Sequence, residues 1–172
     1  GLYVVGNASS NLRPYEKSLL LPEAYLKVRR GIWEAYVGRR RERFGLADST
    51  LSTGSFAWSG NAMPIPKIQF SIPQFAPLGF TNGWVSIQGT FAHGYLNAAG
   101  FIRNTMLHQK SFYMRLGQER SSVRLYGGFN HQVVWGGRAS DPTGIPGVLP
   151  VGGDMPSSLV DYFYVVTGIN SG

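Results

Sequence analysis

The 172-residue sequence predicts an all-β chain, an antiparallel transmembrane β-barrel of which about eight strands are present. Three observations lead there. Apolar and polar residues alternate with period two over runs of roughly 9–11 residues, the length that crosses a bilayer when a strand is tilted. Shorter and longer connections alternate between those runs, as in barrels with short turns on one side of the membrane and long loops on the other. The chain has 23 Gly, 10 Phe, 9 Tyr and 4 Trp, a composition for tight turns and barrel corners rather than for a helical bundle. A soluble sandwich also alternates its faces, but it has no reason to segregate loop lengths.

In chain order, residues 2–8 read as a short strand and 7–15, with Pro14, as a loop. Residues 20–30 set Glu23, Tyr25, Lys27 and Arg29 on one face and Ala24, Leu26 and Val28 on the other. Arg30 and Gly31 make a tight turn. The next run sets Trp33, Ala35 and Val37 against Glu34, Tyr36 and Arg40, so the two runs form an antiparallel hairpin. After a long loop over 44–66, Ile68, Phe70 and Ile72 alternate with Lys67, Gln69 and Ser71, and Pro73 and Pro77 bracket a connection over 74–83.

Residues 84–95 place Val85, Ile87, Phe91, His93 and Tyr95 opposite Ser86, Gln88, Thr90 and Gly94. A loop over 96–108 leads to Phe112, Met114 and Leu116, which alternate with Ser111, Tyr113 and Arg115. A turn over 118–121 follows, and then Val123, Leu125, Phe129 and Val133 alternate with Arg124, Tyr126, Asn130 and Gln132. A long loop over 136–157 precedes a last strand over 160–166. No helix-period segment competes, and no composition shift divides 1–172 into domains. The apolar faces, with Trp33, Phe91, Tyr95, Phe112 and Trp135, are expected to meet lipid, and the polar faces to line a lumen.

The net charge is +7 and the sequence pI is about 9.9, with six arginines concentrated between Arg29 and Arg43. Net charge is the only feature in favour of nucleic acid, so none is expected as a partner. The absence of cysteine excludes disulfides and thiolate metal sites. No stretch is long and apolar enough for a transmembrane helix. The three histidines, His93, His108 and His131, show no HExxH spacing, and there is no Gly-x-Ser-x-Gly elbow, P-loop or dinucleotide fingerprint. The expectation is therefore no enzyme, no cofactor and no metal, with a barrel-borne hydrolase as a weaker alternative. With neither an initiator Met nor a signal peptide, the sequence reads as processed or cut from something longer.

The most distinctive stretch is GRRRERFGLADSTLSTGSFAWSGNAMPIPKIQFSIPQF at 38–75. Together with LPEAYLKV (21–28), FTNGWVSIQGTFAHGY (80–95) and LHQKSFYMRLG (107–117), it resembles the capsule assembly Wzi family of Bacteroidetes over roughly residues 18–135. That resemblance implies an outer-membrane β-barrel that helps hold capsular polysaccharide on the cell surface, with outer-membrane lipid around it. It carries over no catalytic residue. Members of the family are much longer, so the chain is expected to be a piece of a larger barrel.

Six residues are the candidate glycan-binding set: Arg40, Glu42, Arg43, Trp58, Asn61 and Lys67. Guanidinium groups bind carboxylates and phosphates through paired hydrogen bonds. Trp58 offers a stacking face, and Asn61 and Lys67 offer hydrogen bonds and charge to an acidic sugar. The alternative for Arg40 and Glu42 is an Arg–Glu network with Glu34 lining the lumen. The alternative for Trp58 is an anchor folding its loop onto the barrel mouth. A porin whose lumen arginines select anions, or a soluble sandwich that binds glycan, are the other functions the pattern allows.

Overall fold

The computed structural model describes residues 1–13, 16–42, 54–55, 58–59, 63–96, 102–139 and 153–169. It is mostly antiparallel β-sheet. The elements in order are β1 (Leu2–Arg13), β2 (Glu16–Arg30), β3 (Trp33–Arg39), β4 (Gly54–Ser55), β5 (Trp58–Ser59), β6 (Pro66–Pro77), β7 (Val85–Leu96), β8 (Ile102–Arg103), β9 (Thr105–Leu116), β10 (Leu125–Trp135), β11 (Arg138–Ala139), β12 (Gly153–Asp154) and α1 (Leu159–Thr167). Seven of these make one meander in the order β1-β2-β3-β6-β7-β9-β10, with β1 and β10 at its edges. The two-residue strands form small accessory ladders, β12-β11-β8 and β4-β5.

The alternation fixes the faces. The pairs Leu26↔Val37, Val37↔Ile68, Ile68↔His93 and His93↔His108 run across the sheet, so the apolar positions of neighbouring strands fall side by side. That apolar face is turned outward: Val4, Ile68 and Leu125 are 81%, 67% and 63% exposed, and Val28, Val37, Phe70 and Phe129 are exposed as well. The polar face is turned inward. Glu34, Lys67, Gln69, Ser71, Ser86, Gln109, Ser111 and Arg115 are all buried, with Gln109 and Ser86 fully so. Burial is therefore inverted relative to an ordinary core.

The sheet curls around this polar face. Phe75 of β6 and Tyr126 of β10 meet edge to face at 5.4 Å across two intervening strands. A flat sheet would hold those strands about 14 Å apart at about 4.8 Å per strand. Gly38 serves the curvature. Its φ is 126°, and a Cβ there would lie 2.2 Å from the Ala24 carbonyl oxygen and 2.7 Å from Tyr25 Cα. Only glycine fits, and the Tyr25 ring then lies edge to face against Tyr36 at 5.9 Å. Gly31, with φ 59°, supplies the positive φ that the two-residue β2–β3 loop needs at its first position.

The structure corrects four boundaries. The last strand expected over 160–166 is the helix α1, so seven long strands stand among the described residues and one helix-period segment is present. Its sequence, LVDYFYVVT, is β-branched and aromatic and alternates like a strand. End chemistry and packing override that propensity. Ser158 Oγ accepts from the Asp161 amide, the Asp161 carboxylate accepts from the Ser158 amide at 2.8 Å, and Gly168 ends the helix with φ 76°.

The loop expected over 7–15 is mostly strand: β1 reaches Arg13 and β2 starts at Glu16, because pairing with each other satisfies their polar backbones. β6 continues through Pro73 to Pro77, which a register shift between Ile72 and Ala76 permits. β9 begins at Thr105, within the loop expected over 96–108, because its first residues pair with the end of β7.

The Asp161 carboxyl is held below its ordinary range by the hydrogen bond from the Ser158 hydroxyl first and by the Ser158 amide second. A carboxyl whose folded pKa is depressed stabilises the fold above its unfolded pKa and loses that effect as pH falls through the folded value. Protection of the Asp161 and Tyr162 amides from hydrogen exchange, corrected for intrinsic rates, should therefore drop below about pH 4. Asp161→Asn should abolish this pH dependence.

Candidate functional site

The inward polar face forms a charged trough, and period two explains its membership. β3 contributes Glu34 and Tyr36, β6 contributes Lys67, Gln69 and Ser71, β7 contributes Gln88 and Thr90, and β9 contributes Gln109, Ser111 and Tyr113. The chain leaving β3 turns Arg40 and Glu42 back over the same face.

Two linked ion pairs organise it. Glu34, 3% exposed, pairs with Arg40 and lies 3.7 Å from the Lys27 ammonium. Glu42 pairs with Lys67 at 2.5 Å and accepts from the Gln69 amide at 2.8 Å. Gln69 Oε1 accepts from the Tyr36 hydroxyl at 3.4 Å, and Lys67 Nζ also donates to Gln109 Oε1 at 3.3 Å. The Arg40 guanidinium lies 5.5 Å from the Tyr25 ring and 5.4 Å from the Tyr36 ring. Burial is the largest single influence on Arg40 and pulls its pKa down. The hydrogen bond and charge of Glu34, with the charge of Glu42, outweigh it and hold the group charged above its ordinary value.

Beside the network is a cavity of about 370 Å³, lined by Glu34, Arg40, Arg41, Glu42, Gln69, Gln88, Thr90, Ser111 and Tyr113 among others. Hydroxyls, amides, carboxylates and guanidinium groups around one space suit a hydroxyl-rich ligand or a column of water. Among the described residues no group of three or more His, Cys, Asp or Glu could hold a metal ion.

Three of the six candidate residues, Arg40, Glu42 and Lys67, come together in this trough. Arg40 pairs with Glu34 as the lumen alternative has it, whereas Glu42 turns to Lys67 and Gln69. Arg43 and Asn61 lie outside the described residues. Trp58 is placed as the start of β5, opposite Ser55. Sequence reasoning did not assign Gln69, Gln88, Thr90 and Gln109 to a site. Their polar strand positions were legible, but the strand order that brings Lys67 to Gln109 was not.

The histidines gather on the opposite, apolar face. His93 and His108 have ring centroids 4.8 Å apart, and His131 lies 6.0 Å from His108. The Tyr162 hydroxyl of α1 is 3.0 Å from His93 Nε2.

No family model, curated protein or solved structure matches the chain.

Removing the Glu42 carboxylate would take one close charged partner from the buried Lys67 ammonium. Glu42→Gln should lower stability by an amount on the order of 3 kcal/mol. The double variant Glu42→Leu with Lys67→Met should recover most of that loss. Chemical unfolding followed by tryptophan fluorescence measures both.

Proposed function

We propose that the chain is a wall segment of a bacterial outer-membrane β-barrel that helps retain capsular polysaccharide at the cell surface. The apolar face meets lipid, the polar trough lines the lumen, and the protein performs no chemical step and needs no cofactor. One observation carries this reading: ion pairs and amides lie inside the curled sheet while aliphatic and aromatic side chains cover its outside. In water that arrangement leaves a continuous apolar face exposed. In a bilayer it is the ordinary arrangement of a barrel wall.

The aromatic positions support it. Trp33, Phe80 and Trp84 lie at the end with the short turns, and Tyr95 and Trp135 lie at the other end. Along β7, Trp84 and Tyr95 are separated by about 36 Å at roughly 3.3 Å per residue. Tilted about 40°, that becomes about 28 Å, close to the roughly 25 Å apolar band between aromatic girdles. The polysaccharide is supported by the resemblance over 18–135 and by a trough rich in hydroxyls, amides and charge. Arg43, Trp58 and Asn61 lie in sequence between Glu42, which lines the cavity, and Lys67, which pairs with Glu42.

The lipid face is tested by placing a charge on it at different depths. Phe129 sits mid-strand on the outward face, opposite Phe112. Phe129→Arg should disfavour membrane assembly by about 2–4 kcal/mol. Leu125→Arg, at the turn end, should be milder, and so should Asn130→Arg on the polar face. Equal folding yields for all three in lipid vesicles would overturn the barrel reading.

The polysaccharide role is tested on cells. Arg43→Ala with Trp58→Ala, or Gln88→Ala with Thr90→Ala, should release capsule into the medium at unchanged protein abundance. Unchanged cell-bound capsule in both double variants would overturn the retention role. Anion conductance in planar bilayers together with unchanged retention would favour a channel instead.

A further inference from the structure

We infer that α1 is an interfacial helix that prolongs the lipid-facing surface of the sheet, its outer side seated among lipid headgroups and the first acyl carbons. This rests on the barrel reading above and adds a lipid contact made by an element that is not a strand.

The helix is seated on the outward face by one side only. The Tyr162 hydroxyl meets His93 Nε2 at 3.0 Å, the Tyr162 ring lies 5.7 Å from Trp135, and Lys110 Nζ donates to the Val166 carbonyl near the helix C-terminus. All three sheet residues belong to the apolar face, so α1 lies outside the curled sheet and away from the trough.

The other side of the helix is also apolar. Leu159, Val160 and Phe163 are 87%, 60% and 59% exposed, and Ile169 follows just past the C-cap at 59%. A surface helix in water carries polar residues opposite its seat. Here the only charged side chain is Asp161, which is engaged in the N-terminal cap, and no basic residue lies in the last turn. The exposed residues continue the apolar band of β7, β9 and β10 at the end where Tyr95 and Trp135 stand.

Length decides between lying in the membrane and crossing it. Nine residues extend about 14 Å at about 1.5 Å per residue, half of a hydrocarbon core of about 30 Å. The cluster of Tyr95, Trp135, Tyr162, Phe163 and Tyr164 also has the composition of an aromatic belt, where rings settle at headgroup depth. An apolar outer side, belt aromatics and continuity with the band together favour lipid over a protein partner.

The chain has no cysteine, so single probes are clean. Phe163→Cys and Val160→Cys, labelled with an environment-sensitive fluorophore, would be reconstituted in phosphatidylcholine vesicles that carry nitroxide near the headgroups and, in a parallel set, deep on the acyl chains. Phe129→Cys on the strand and Gln88→Cys in the trough serve as references. The expected result is lipid quenching at residues 160 and 163 at least about two-fold stronger than at 88, as interfacial seating requires. Quenching of the 129 probe with none at 160 and 163 would overturn the inference and leave the barrel standing. The inference fails in that case whether the helix probes are open to aqueous iodide or shielded from both quenchers, as under a protein partner. No lipid quenching at 129 either would overturn both.

Discussion

Charge neutralisation inside the curl is the constraint on which the rest of the structure depends. Glu34 and Lys67 are 3% and 4% exposed. Withdrawing either ion from water costs several kcal/mol unless an opposite charge and hydrogen bonds replace the solvent. The structure supplies both. Arg40 and Lys27 face Glu34, while Glu42 and Gln109 face Lys67. These contacts tie the segment after β3 to β6 and β9, and so set how the strands bend toward one another. Once the sheet has curled around the polar face in this way, period-two alternation leaves every other side chain pointing outward. The exposed apolar face is the geometric consequence of the ion pairs.

The outer face is not uniform, and its one covered region uses a different chemistry. Under α1, His93 and His108 meet as tilted rings 4.8 Å apart, His131 lies edge to face with His108 at 6.0 Å, and Phe91 lies edge to face with His108 at 5.1 Å. Aromatic rings stack without needing charge, so histidines can sit on an apolar face where a lysine would demand a partner. Lys110, a cation on the same face, meets that demand by donating to the Val166 carbonyl at the negative end of the helix. The helix covers the polar spots of the outer face and presents apolar side chains in their place.

The sheet and its two faces were legible in the sequence because their signal is local: Lys67, Gln69 and Ser71 against Ile68 and Phe70 needs only a few consecutive letters. The hairpin at Gly31 was legible for the same reason. α1 was not, since Val160, Tyr162, Tyr164 and Val166 also alternate with period two; the spacing from Ser158 to Asp161 and the following Gly168 were the available counter-signals. In the site, the Arg40–Glu34 pairing could be anticipated because both residues leave the same strand. The Glu42–Lys67–Gln109 link could not, since it depends on which strands become neighbours over 67 residues of chain, from 42 to 109. The extension of β1 and β2 into an Asn- and Ser-rich stretch likewise depends on a partner strand, which local turn propensity does not report.

The described sheet has two edges, β1 and β10, each with a row of main-chain amides and carbonyls facing no neighbour in the seven-strand order. In water such a row is solvated at little cost. In hydrocarbon each unpaired group costs several kcal/mol, and a dozen-residue edge strand has about twelve of them facing outward, six amides and six carbonyls. On the barrel reading proposed above, an open wall would therefore stall at the membrane surface until further strands sealed both sides. Bending begins earlier, near the middle of the wall, at the Glu34–Arg40 pair along the exit of β3 and the Glu42–Lys67 pair that ties this exit to β6. Insertion on this basis would be a zipping process: the centre curves first, the margins join last, and the seam between the joined margins is the weakest line in the finished wall.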